Sequence, residues 1–169
     1  MIDKDMLFSI AELAVALAGF SAIIGVLSSR RESINLKVNT LRLQVMLETC
    51  FMVAAAALIP VIIEKFGVES TMLWRFSSAA FLCIAIPFEF VARNRTKDIP
   101  NMTLVRFNVN TVNWALSLGS DLILVVIFLN LAGVWSEAFY VVALFAQLCL
   151  AGILFVQFAA ETFSHPNQG

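Results

Sequence analysis

The chain has 169 residues, 60% hydrophobic and only 14% charged, with a formal net charge of −1. Soluble domains carry about 25% charged residues, so this balance points to a membrane class and offers no basic field for nucleic acid. One histidine and three cysteines without a CxxC pair exclude HExxH zinc chemistry, histidine triads and paired-histidine haem ligation within one chain, and suggest no disulfide framework, metal or cofactor.

The leader MIDKDMLF is acidic, unlike the basic start of a secretory signal, so the first apolar run is read as a retained helix. Five stretches, near 6–28, 41–63, 72–92, 110–131 and 137–160, approach the ~20 apolar residues that cross a bilayer as helix. Short connections make sequential helices antiparallel neighbours. The expected fold class is therefore all-α: one integral membrane domain over 1–169, an up-and-down helical bundle of about five transmembrane helices.

In the first stretch, Ala11, Ala14, Ala18, Ser21, Gly25 and Ser28 recur at alternating spacings of three and four. Small side chains on such a stripe let another helix approach closely, and the 3.5-residue spacing predicts a left-handed crossing. The stripe is either an intramolecular contact or a homo-oligomer seam. Leu13, Leu17, Phe20 and Ile24 gather on a different arc, suited to lipid. Glu12 lies about six residues inside the span. The segment AELAVALAGFSAIIGVL, residues 11–27, resembles the opening helix of some small, uncharacterised bacterial integral membrane proteins. That resemblance implies a bacterial inner-membrane setting and no particular activity.

The second stretch carries Gln44 and Glu48 one turn apart on one face. In the third, Glu89 follows Pro87 near the inner end, on the face of Ser78 and Arg75. Eight of the eleven Lys and Arg flank two connections: Arg30, Arg31, Lys37 and Arg42, then Arg93, Arg95, Lys97 and Arg106. The positive-inside rule puts both in the cytoplasm, so the N-terminus is expected outside and the C-terminus cytoplasmic. Asn94-Arg95-Thr96 and Asn101-Met102-Thr103 match the sequon, but they fall on this inner side, where no glycosylation is expected. Arg75, Arg106, Trp74 and Trp135 read as interfacial anchors.

The fourth stretch is polar in its inner half. Asn110, Asn113, Ser117, Ser120 and Asp121 project within about a third of the helix circumference, and the same face continues outward as Leu124, Phe128 and Leu131. An intramembrane acid usually faces a bundle interior or a wet cavity. The fifth stretch adds Gln147, Gln157 and Glu161 along one side. LGSD at 118–121 is similar to the GxGD segment of intramembrane aspartyl proteases, but Leu118 replaces the first glycine and no second membrane aspartate completes a dyad. No P-loop or dinucleotide glycine pattern occurs, so no enzyme is expected.

The expected function is a small proton- or cation-conducting channel or transporter subunit in the cell membrane. Its pathway would use Asp121, Glu48, Gln44, Asn110, Asn113, Ser117, Glu12 and Glu89, with Leu124 and Phe128 as a hydrophobic gate. The alternative is a non-catalytic interaction or assembly subunit whose polar and small-residue faces pack against partner helices. The lipid bilayer is the expected partner in both, with a homo-oligomer or a membrane partner subunit beside it.

Overall fold

The computed structural model describes residues 4–29, 36–97, 109–134 and 136–164. Five helices account for most of them: α1 (Lys4–Ser29), α2 (Leu36–Glu64), α3 (Ser70–Lys97), α4 (Val109–Leu129) and α5 (Glu137–Ser164). Among the described residues, four segments are long and apolar enough to cross a membrane: Lys4–Val26, Leu43–Glu64, Ser70–Ala92 and Glu137–Ala160. In α4 the described side chains begin at Leu118, and Leu118–Gly133 is an apolar stretch.

Packing pairs the start of each helix with the end of the next. Lys4 of α1 meets Glu64 of α2 at 2.9 Å, while Gly25 at the other end of α1 lies under Leu43. Ser78 of α3 meets Asn130 beyond α4, and Ser120 of α4 meets Glu89 of α3. Helix α5 then returns beside α4, α2 and α1, so α2 is flanked by three helices. Large apolar side chains cover the outside, among them Phe20, Phe51, Phe90, Leu122 and Val156. Water would penalise that surface and lipid does not. Such a coat, with four span-length helices, is compatible with a multi-pass membrane protein.

Ala11, Ala14, Ala18, Ser21 and Gly25 are all buried, on the side of α1 that packs on α2 and α5. The lack of a side chain at Gly25 matters most, because a Cβ there would collide with Leu43. Ser21 donates its hydroxyl to the Leu17 carbonyl at 2.6 Å and lies 3.5 Å from the sulfur of Met46 on α2. Ala18 packs with Cys50 and Ala151. Leu13 and Phe20 point away from the bundle, whereas Leu17 packs partly against that small cluster.

The turn after α2 is closed by Lys65, Phe66 and Gly67, whose N–H groups donate to the carbonyls of Ile62, Ile63 and Glu64. Gly67 takes φ +72°, a left-handed conformation that glycine adopts without a Cβ clash. Between α4 and α5, a five-residue π-type turn, Asn130–Val134, redirects the chain, and its Gly133 leaves helical geometry.

The half of the bundle nearest these two turns is tightly packed. Tyr140 of α5 is fully buried, its ring centroid 5.6 Å from Trp74 and 6.2 Å from Phe81. Trp74 is therefore a core residue rather than the interfacial anchor its position near a span end suggests. Proline 60 explains where the Tyr140 hydroxyl goes. A proline inside a helix cannot donate to the carbonyl four residues earlier, which here is Ala56. Tyr140 donates its hydroxyl to the Ala56 carbonyl at 2.8 Å, supplying the donor that Pro60 cannot.

Candidate functional site

Two polar clusters lie in the other half, one between α3 and α4 and one between α2 and α3. Helix α4 is set against its neighbours by Gly119, where an added Cβ would stand 3.1 Å from the Leu150 side chain of α5. That close approach turns the next residue, Ser120, inward. Ser120 is buried and donates its hydroxyl to Oε1 of Glu89 on α3. The glycine and serine of LGSD thus have a packing role. Asp121 follows at the edge of the same face, half-buried and engaged in an interaction of its own.

Glu48 of α2 forms a second cluster. Gln44 donates its amide N–H to Glu48 Oε1 at 2.8 Å, across the one-turn spacing expected from sequence. Arg95 adds a guanidinium from α3, 3.1 Å and 3.3 Å from the two carboxylate oxygens. In sequence Arg95 reads as part of a connection, which gives no sign of this contact. Helix α3 in fact runs to Lys97, three residues short of Pro100, and carries Arg95 along with it. The signal available in sequence was the absence of any helix breaker between Pro87 and Pro100. Glu48 is therefore charge-compensated, with both partners still partly exposed.

No family model, curated protein or solved structure matches this chain. The geometry alone carries the functional reading.

Among the described side chains of α4, Ser120, Ile123 and Ile127 are buried, followed by Asn130 just beyond it, about one residue's rotation from the expected stripe. The rotation follows from Gly119 against α5 and from Asn130, which needs buried partners. Leu124 packs at the margin of the core, and Phe128 projects outward at 60% exposure. Beyond Ser120, then, Ile123 and Ile127 fill the interior. Asn110, Asn113 and Ser117 belong to the α4 backbone, but their side chains lie outside the described residues, as do Arg106, Trp135, Glu161 and the 101–103 sequon. Asn94 is exposed on α3. Glu12 lies on the exposed side of α1, away from both clusters. Gln147 of α5 is buried, and Gln157 is half-buried.

A separate polar node closes the opposite end. Asn130, fully buried, donates from Nδ2 to Ser78 Oγ at 3.0 Å and accepts the Ser136 N–H at 2.7 Å. Ser136 in turn offers its carbonyl to Tyr140 N–H as α5 begins. This node joins α3, the end of α4 and the start of α5. Sequence reading had no reason to single out Asn130, since one asparagine at a span end resembles any interfacial residue.

Proposed function

We propose that the chain is a multi-pass integral protein of the cell membrane that takes up protons or cations from the cytoplasmic side, as a channel or a transporter subunit. In this reading all five helices cross the bilayer in an up-and-down order. The N-terminus is outside, the C-terminus is cytoplasmic and α4 is completed as a span by its polar half. One observation carries it: Ser120 bridges to Glu89 beside Asp121, at the level where the polar half of α4 gives way to its apolar half. Acids within a span, one of them held by a hydroxyl on the neighbouring helix, are suited to passing a proton or holding a small cation. Gln44 and Glu48, with Arg95, form the inner approach, continued by Asn110, Asn113 and Ser117. Ile123 and Ile127 replace Leu124 and Phe128 as the hydrophobic seal. No catalytic role is assigned.

The test is acid-driven flux in proteoliposomes. Asp121→Asn and Glu89→Gln each lower it at least tenfold, and Ser120→Ala lowers it by less because both acids remain. Unchanged flux in both acid variants would refute the proposal. A second reading, a non-catalytic interaction or assembly subunit, draws support from Glu12, an acid within a span that this fold turns outward. A protein silent on its own that co-purifies with a defined membrane partner would favour it.

A further inference from the structure

Helix α3 changes character at Pro87, a proline inside the helix. Its ring nitrogen has no hydrogen to give the carbonyl four residues earlier, that of Cys83, and helices bend most readily at such points. Among the described residues of α3, the buried ones run from Leu73 to Ala85 and all precede the proline. Beyond it the described side chains are half-buried or exposed, and Phe88 still packs at the margin of the core. Two polar links reach from this later part to different helices. Glu89 accepts the Ser120 hydroxyl from α4, and Arg95 donates to both carboxylate oxygens of Glu48 on α2, at 3.1 and 3.3 Å. Six positions apart at 100° per residue, Glu89 and Arg95 project about 120° from one another, so the segment is held from two sides.

We propose that residues 88–97 form a hinged arm that pivots at Pro87 and is latched by Arg95 on Glu48 and by Ser120 on Glu89. Parts of a fold with few buried side chains open before its core does, and a hinge lies where the backbone absorbs the change while the packed parts on either side stay whole. The side chains of Arg95 and Glu48 are 39% and 33% exposed, so that latch is of the weak kind that thermal motion breaks and remakes. Ser120 is buried and gives the firmer hold. Because one rigid segment carries both links, a single swing strips Glu48 of its cation and Glu89 of its hydroxyl together. The arm rests on the contacts of α3 alone and exists equally in a chain that passes no ion.

The test measures distances between paired spin labels by electron paramagnetic resonance on the full chain in lipid vesicles, with the exposed Cys83 and Cys149 replaced by alanine. One label sits on the arm at Asn94→Cys and the other on α1 at Ile23→Cys, both at exposed positions. A control pair joins Ile23→Cys to Phe76→Cys, exposed on α3 before the proline. Asn94 lies seven residues past Pro87, about 10 Å along the helix, so a bend of ~20° moves it by about 4 Å. With both latches intact the arm pair gives one narrow distribution. Arg95→Ala roughly doubles its width, and Arg95→Ala with Ser120→Ala widens it further, as the release of a weak and then a firmer hold requires. Pro87→Ala restores the helical donor and brings the Arg95→Ala distribution back to the narrow one. The control pair keeps its distribution in every variant. An arm distribution unmoved by loss of both latches, a broadening that persists with Pro87→Ala, or an equal broadening in the control pair overturns the proposal.

Discussion

Removing the hydroxyl of Tyr140 isolates one hydrogen bond with unusual clarity. Tyr140→Phe keeps the ring against Trp74 and Phe81 and deletes only the donor to Ala56 at 2.8 Å. Tyr140 and Ala56 are both fully buried, so neither water nor lipid headgroup replaces the lost partner. A buried group left unsatisfied costs about 1–3 kcal/mol, and interhelical bonds within membranes reach at most about 1.7 kcal/mol. The expected loss is therefore about 1–2 kcal/mol. Its cause is Pro60, which denies Ala56 its helical donor. In a Pro60→Ala background, residue 60 again has an N–H to give, and Tyr140→Phe should cost roughly 0.5 kcal/mol, the low end for an ordinary bond. Reversible unfolding in mixed micelles, run on all four members of the cycle, measures the coupling. An equal cost in both backgrounds would refute the link between proline and tyrosine.

Gly25→Val forces a side chain into the space of Leu43 and should destabilise the α1–α2 contact by about 1–3 kcal/mol, the usual range for overpacking, in the same unfolding assay. Asn130→Ala strips Ser136 N–H of its acceptor and Ser78 of its partner; about 1–3 kcal/mol is expected, with faster hydrogen exchange at the start of α5. Lys4→Ala removes an ion pair whose side chains are 42% and 34% exposed, so it should change stability by less than about 1 kcal/mol, and less still at high salt. Gly119→Leu pushes Leu150 away and turns Ser120 from Glu89; flux should fall with it, although no acid has been altered.

The helices were legible in sequence because apolar length is a direct record of bilayer thickness. The four long spans match their expected stretches to within a few residues. The small-residue stripe was legible as a seam but not as to its partner, since Ala14 or Gly25 looks the same facing α2 or facing another molecule. Spacing likewise brought Gln44 to Glu48, but only tertiary structure could bring Arg95 to the same carboxylate. On the described part of α4, the buried side chains lie about one residue's rotation from the line that Leu124 and Phe128 continue. Packing at Gly119 and Asn130, rather than average polarity, sets its rotation. Tyr140 escaped notice for a related reason: its role depends on a proline 80 positions away in sequence.

Proton or cation uptake is tested most directly by the flux carried by the wild-type chain alone, purified and reconstituted, under a pH gradient and separately under a potassium gradient. Flux well above that of protein-free vesicles under at least one gradient is predicted. Vesicles that hold both gradients as tightly with the protein as without it would show that the chain alone conducts neither protons nor potassium.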